Sequence, residues 1–332
     1  MSSISVIIPT FNRRHLLRST LKNVNEQTKA ADQIIVIDDH SADGTMDLLK
    51  SEYGDRVLSV YNNGKGPGAA RSTGLQLATG DYIKFLDSDD FMTTNMLEVQ
   101  SKILDQNPRG FTYSAYFQAQ EISPGKWKQY DPAILYYRPI PPQFSIRHHM
   151  IRGLLINHQA ILFRRDLLTK VGLWRPGLTV YEDWDYLWRV GKYEPSPIHS
   201  NECAFLYRLH GKQSTGENMN DPQRDFDMIA CYMDVLKELR EDPSVNRIDI
   251  LIFETYIARV LKKNARAPWA HGIPFDSERW IFTVTRFLHR VSEKWGRIKT
   301  GTNWQPRHGS IINTETVRSY LSMIDPNYEL VN

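Results

Sequence analysis

Cysteine is nearly absent from this chain: only Cys203 and Cys231 occur, far apart and in no CxxC or ligand-like spacing. A disulfide-framed scaffold and a thiolate metal centre are thereby excluded. Long apolar runs are missing too, and none approaches the roughly 20 residues that a membrane-crossing helix requires. Excess charge is small: the formal net charge is +3 over 332 residues, which gives no bulk reason to expect nucleic acid as a partner. Met1 to Thr10 shows no basic n-region, apolar core or small-residue cleavage site, so no secretion signal is read and a cytoplasmic location is expected. Neither the Gly-Lys-Ser/Thr ending of a P-loop nor a GxGxxG occurs, which argues against those two nucleotide chemistries.

What is present is a chain 41% hydrophobic and 24% charged, long enough for a full catalytic core and one appended unit. Short β-branched runs alternate with helical stretches: Ile4 to Pro9, Arg14 to Asn25, Gln33 to Asp38, Ala42 to Ser51, Val57 to Tyr61, Ala69 to Ala78 and Tyr82 to Leu86. Strand and helix in alternation predict an α/β fold with a parallel sheet covered by helices. From Phe111 to about Gly211 the pattern turns aromatic-rich and Pro-punctuated, with one helical turn over Asp166 to Val171. Helical spacing returns in Phe226 to Leu239, Arg247 to Asn264 and Arg279 to Lys299. The expected division is 1–110 and 111–215 as two halves of one catalytic domain, with 216–332 as a mostly helical extension.

Ligands of such sheets bind at the carboxyl ends of the strands, and those ends are unusually polar here. Phe85-Leu86 runs into Asp87-Ser88-Asp89-Asp90, where Asp87 and Asp89 can turn toward one ligand. Hard ions such as Mg²⁺ and Mn²⁺ favour one or two carboxylates plus phosphate oxygens, although an acidic turn explains the same residues. Pro9-Thr10-Phe11-Asn12-Arg13 closes the first strand with backbone groups and a ring that can hold a base. The second strand ends in Asp38-Asp39, either of which can accept from a ribose hydroxyl or a uracil N–H. Gly64-Lys65-Gly66-Pro67-Gly68 permits close backbone approach, and Lys65 or Arg71 can neutralise phosphate.

Four runs together, Pro-Thr-Phe-Asn-Arg, Ile-Asp-Asp-x-Ser-x-Asp-Gly-Thr, Gly-Pro-Gly-Ala-Ala-Arg and Phe-Leu-Asp-Ser-Asp-Asp, resemble the family 2 glycosyltransferases over roughly residues 3 to 212. The resemblance implies a GT-A fold, a Rossmann-like, mostly parallel sheet flanked by helices, and a nucleotide diphosphate-sugar donor, UDP foremost. It implies a donor site of Pro9, Thr10, Phe11, Asn12, Arg13, Asp38, Asp39, Asn63, Gly66, Arg71, Asp87 and Ser88. Asn62 is the alternative to Asn63, since the family often has Asn where this chain has Gly64. The implied cofactor is Mn²⁺ or Mg²⁺ on Asp87 and Asp89.

Tyr181-Glu182-Asp183-Trp184 looks like the acceptor-side signature of the same family. By that resemblance Asp183 is the base for inverting transfer, Glu182 supports it, and Trp184 stacks on a sugar; an acidic helix cap is the plainer reading. His158, with Gln159, is a candidate for the acceptor wall. In Tyr207 to Ser214, His210 is implied as a further metal ligand, with Arg208 or Lys212 facing the diphosphate. The acceptor is expected to be a carbohydrate or glycopolymer of the cell surface. Arg279 to Lys299 pairs an apolar aromatic face with basic residues, suited to an anionic membrane surface, to docking on the catalytic domain, or to a second subunit. Two rival readings are a sugar-phosphate nucleotidyltransferase, which would carry a Gly-rich loop near the first strand, and a non-catalytic scaffold that keeps the fold.

Overall fold

The computed structural model describes residues 2–123, 125–129, 134–135, 140, 145–151, 156–178, 180–210, 222–243, 245–263, 310–311, 314–325 and 327–331. The first half unrolls as β1 (Ile4–Thr10), α1 (Arg14–Asn25), β2 (Gln33–Asp38), α2 (Thr45–Leu48), β3 (Leu58–Tyr61), α3 (Pro67–Leu77), β4 (Tyr82–Phe85), β5 (Phe91–Met92) and α4 (Met96–Gln106). Then follow β6 (Phe111–Ser123), β7 (Lys126–Gln129), β8 (Ile134–Leu135), α5 (Ile146–Ile151), β9 (Ile161–Arg164), α6 (Arg165–Val171), α7 (Glu182–Tyr193) and β10 (Ile198–Leu209). The remaining described elements are α8 (Pro222–Glu241), α9 (Arg247–Lys263), β11 (Ser310–Ile311), α10 (Thr314–Ser322) and β12 (Glu329–Val331).

Among the described residues the main sheet has ten strands, in the order β12-β7-β6-β9-β4-β1-β2-β3, with β10 joining β6 and β5. β4, β1, β2 and β3 are mutually parallel, as the alternating sequence predicts, whereas β9 lies antiparallel between β4 and β6. All seven residues of β1 are buried, which fits a central strand covered on both faces. The two-residue period sends Ile7, Ile35 and Ile37 to one face and Val6, Ile8 and Val36 to the other. On the second face Leu17, Leu21 and Val24 of α1 meet Met96, Leu97 and Leu104 of α4. Gly74 explains how close α3 lies to the first face: a Cβ there would stand 2.3 Å from Ile7 Cγ2.

The helix expected over Ala42 to Ser51 is short, Thr45–Leu48, and continues as a π turn over Leu49–Tyr53. Its late start has a local cause. Asp43 accepts the Arg14 N–H at 2.9 Å and the Thr45 N–H at 3.1 Å, while Gly44 takes φ +80°, so the chain is held in a turn until Thr45. Helices expected around 226–239 and 247–264 appear as α8 and α9. Tyr232, Leu236 and Phe253 from them enter the same buried cluster as Phe85 and Phe163 of the sheet. Arg279 to Lys299, and Lys212, lie outside the described residues.

The chain returns at its far end. β12 pairs in parallel with β7, and Val317, Leu321 and Ile324 pack with Phe91, Phe117, Trp127 and Leu206. The Thr94 N–H donates to the Met323 carbonyl at 3.0 Å, tying this return to the strand that follows Asp90. Leu321 is fully buried. Leu321→Ala is therefore expected to cost about 2 kcal/mol, read as a shift in the urea midpoint at unchanged m-value; an unchanged midpoint would mean the return contributes no stability.

Candidate active site

Three parallel strands deliver the residues expected on the donor side. β1 ends at Pro9 and Thr10, both buried, and Phe11 beyond them is 55% exposed, a ring open to a ligand. Asn12 adopts φ +51°, its N–H donating to Ser41 Oγ and its Oδ1 accepting the Ala42 N–H, both at 2.8 Å. This crosslink fixes the β1 exit against the β2 exit. Asp38, fully buried, accepts the Ser41 N–H at 3.2 Å and the Ser41 hydroxyl. Burial raises its pKa, against those hydrogen bonds. Asp38 thus braces the turn from inside.

Asp39 is the carboxylate left at the rim. It accepts Asn62 Nδ2 at 2.6 Å and the Gly66 N–H at 2.9 Å, so the glycine loop is held by the end of β2. The two asparagines expected as alternatives are placed differently. Asn63 is exposed, whereas Asn62 is buried and its Oδ1 also accepts the Gly64 N–H at 3.2 Å. Tyr61 pairs with Asp38 in register, which puts Asn62 beside Asp39.

β4 runs out into the acidic turn. Arg71, 3% exposed, donates from Nη2 to Asp87 Oδ1 at 2.7 Å and from Nη1 to Glu182 Oε1 at 3.0 Å, with its guanidinium 4.8 Å over the Trp174 ring. Expected to neutralise phosphate, Arg71 instead links the acidic turn to the N-terminus of α7. Burial works against the charged Asp87 carboxylate, but Arg71 and then His158 hold its pKa well below the usual carboxylate range. His158 is buried, with Nε2 3.8 Å from Asp87 Oδ1 and Nδ1 3.9 Å from Asp183 Oδ2. One imidazole therefore lies between carboxylates 96 positions apart in the chain.

The two residues opening α7 differ. Asp183 keeps 30% of its side chain exposed and accepts the Trp184 N–H at 2.7 Å. Burial opposes its ionisation, but His158 foremost, then Arg71, lowers its pKa, so it is a carboxylate at neutral pH. Glu182 is 12% exposed and committed to Arg71; burial and the neighbouring Asp183 charge raise its pKa. Tyr181 before them has φ +62°, a costly conformation for a bulky residue that sets the turn into the helix.

Asp89 faces elsewhere. Its Oδ2 is 2.9 Å from His210 Nε2 and forms an ion pair with Arg13. Burial, then Arg13 and Arg208, pull the His210 pKa down to about 4, leaving the neutral imidazole that a metal requires. Among the described residues no group of three His, Cys, Asp or Glu side chains converges for a metal. Asp89 and His210 share a hydrogen bond at 2.9 Å, and a carboxylate oxygen beside a neutral imidazole nitrogen is a donor set that would suit a divalent cation. Arg13, a cation on the same carboxylate oxygen, stands where such an ion would bind. Asp87, expected to share the ion, has one oxygen on Arg71 and the other on Gln159 Nε2 at 2.9 Å.

Three expectations change with the coordinates. Arg208 does not face a diphosphate: it is 2% exposed behind the acidic turn, bonded to the Asp89 carbonyl, Ser19 and Glu121. Ser88 is buried, and its carbonyl accepts the Thr20 hydroxyl at 3.0 Å. Trp184 is no sugar platform, being 5% exposed, stacked on Trp188 and packed on Tyr232 and Phe253. On a helix, the residue after Asp183 points about 100° away, into the core.

With the acidic turn after β4, the start of α7 and His210 after β10 placed in this way, the comparison with known proteins is decisive for the family. The family model described as glycosyl transferase family 2 matches residues 5–172, just over half the chain. The chain belongs to glycosyl transferase family 2. Among curated relatives of this family 2 chain, the Escherichia coli UDP-Glc:alpha-D-GlcNAc-diphosphoundecaprenol beta-1,3-glucosyltransferase WfgD is 28% identical over 268 residues, covering 79% of this chain and 95% of the relative. Of the solved structures, S. aureus TarS 1-349 in complex with UDP-GlcNAc superposes at TM-score 0.56 with 15% identity, covering 91% of this chain and 93% of that one. Mannosyltransferase PcManGT from Pyrobaculum calidifontis, in complex with GDP-Man and Mn²⁺, superposes at TM-score 0.54 with 16% identity, covering 91% and 88%. These likenesses show that the family 2 chain has the GT-A fold expected from its motifs.

Proposed function

We propose that this family 2 protein is an inverting glycosyltransferase that moves a sugar from a nucleotide diphosphate donor, a UDP-sugar foremost, to a carbohydrate or glycopolymer hydroxyl. One observation carries the reading: solvent-reaching Asp183 and the donor-side carboxylate Asp87 approach the same buried His158 at 3.9 and 3.8 Å. In this reading Phe11, Asn12, Asp39 and Gly66 hold the nucleoside, and Asp87 lies toward the sugar. Asp183 takes the acceptor proton as the acceptor oxygen attacks the anomeric carbon. With Asp183 as base, a single displacement with inversion requires no covalent intermediate, and Glu182, bound to Arg71, supports the start of α7. A divalent cation on Asp89 and His210 would supply charge neutralisation for the departing diphosphate.

The UDP preference draws support from the E. coli relative, named for UDP-Glc, and from TarS, solved with UDP-GlcNAc; PcManGT was solved with GDP-Man. That E. coli relative is named for a lipid-linked acceptor, which supports a surface-glycan acceptor and work at the cytoplasmic face of a membrane. No helix among the described residues is long and apolar enough to cross one.

The test is a thermal-shift screen of nucleoside diphosphates and their sugars, with and without Mn²⁺. A bound ligand at a hundredfold excess over Kd adds about 2.7 kcal/mol, which raises Tm by degrees. UDP or a UDP-sugar should shift Tm most, and more with Mn²⁺ than without. Equal shifts with and without the ion would remove the metal from the reading, and no shift with any nucleotide would remove the donor.

A further inference from the structure

Gln159 makes three directed contacts to the acidic turn, although the mechanism above leaves it unused. It is 1% exposed, in the 3-10 turn His158–Ala160 just before β9, where the Asn157 side chain accepts its N–H at 2.9 Å and fixes the turn that carries it. Its Oε1 accepts the Asp87 N–H at 2.7 Å. Its Nε2 donates to Asp87 Oδ2 at 2.9 Å and to Asp90 Oδ2 at 2.8 Å. Every hydrogen of the amide nitrogen is thereby used, and the carbonyl oxygen is used in the same direction. Asp90 is held from its other side by the Arg208 N–H at 2.8 Å.

Geometry explains why an amide is needed. In this turn of three acidic side chains in four residues, burial and then the Asp87 charge push the Asp90 pKa up to about 8, and a neutral group that donates twice and accepts once binds Asp87 and Asp90 together without adding charge. Glu in the same place would turn two donors into acceptors, and Met would offer neither.

We propose that Gln159 is a positioning residue that orients Asp87 toward the donor, by locking the Asp87 backbone and carboxylate to Asp90 as one unit. This rests on the reading of Asp87 as a donor-side residue. His158 stands 3.8 Å from the Asp87 carboxylate and 3.9 Å from that of Asp183, whereas Gln159 bonds the acidic turn directly and would meet the donor only through it.

Two variants test it in the full-length protein: Gln159→Met, close in volume, and Gln159→Glu, which keeps an oxygen for the Asp87 N–H and loses the donors. Each is measured for kcat, donor KM and acceptor KM, and for the Kd of UDP with Mn²⁺ by calorimetry. Donor kcat/KM is expected to fall about tenfold to a hundredfold, acceptor KM to stay within about twofold, and UDP affinity to fall by the same direction as donor kcat/KM. Combining Gln159→Met with Asp90→Asn should cost little more than the larger single change, since both break one unit. Additive losses in the double variant, or acceptor KM rising as far as donor KM, would overturn the proposal. If the unaltered protein binds UDP yet transfers no sugar, the proposed activity fails, while the UDP affinities of the variants still decide the role of Gln159.

Discussion

Asp183→Asn is expected to lower kcat for sugar transfer by about 10²- to 10⁴-fold, the usual worth of a positioned general base, while leaving the Kd for UDP within about twofold. Asn keeps the size of the side chain and can still accept the Trp184 N–H that Asp183 accepts at 2.7 Å. What it lacks is a lone pair basic enough to take a proton. The residues assigned to the nucleoside come from β1, β2 and the glycine loop, so binding should survive. Steady-state kinetics beside calorimetric titration with UDP separate the two effects. Retained turnover would strike Asp183 from the role of base and leave the acidic cap as its explanation.

Lys84→Met is expected to stabilise the fold, and by an amount that depends on pH. Lys84 is fully buried on β4, its amine 3.3 Å from Gln100 Oε1 and 3.6 Å from Met96 Sδ. Burial pulls its pKa down to about 7 from an ordinary 10.5, which corresponds to roughly 5 kcal/mol of cost for the charged form. Below about pH 7 folded and unfolded chains are both protonated there, and the cost is present in full. Between about 7 and 10.5 the unfolded chain binds the extra proton, so stability rises with pH across that window. Met removes the charge but strands the Gln100 oxygen, at about 1–3 kcal/mol, so the net gain near pH 6 is roughly 2–4 kcal/mol. The gain should shrink toward pH 10. Urea midpoints of both proteins across this range measure it; a variant less stable than its parent at every pH would mean that the amine is better solvated than its burial implies.

Much of the fold was readable because parallel strands buried on both faces need continuous apolar runs, and Ile4 to Pro9 and Gln33 to Asp38 are such runs. The antiparallel seat of β9 between β4 and β6 has no local signature; it follows from pairing with Tyr82 to Lys84. β12 was not seen at all. Its three residues become a strand only because β7 and the apolar cluster around Phe91 receive them. In the site, Asp39, Arg71, Asp87, Glu182 and Asp183 were named from motifs, and the structure brings Arg71, Asp87, Glu182 and Asp183 together around His158. The misses share one form. Trp184, Ser88 and Arg208 sit beside motif residues in sequence yet face inward, while Asn62 and Gln159, expected to meet a ligand, bond the Asp39 and Asp87 carboxylates.

Taken alone, the sequence determined which strand ends would be polar, that carboxylates would crowd them, and which family the chain resembles, since each is a property of short contiguous runs. Only the tertiary structure decided the partners. Arg71 meets Glu182 across 111 positions and Gln159 meets Asp87 across 72. A hydrogen bond depends on where two side chains end up within a few tenths of an ångström, and the packing of helices on the sheet sets that position.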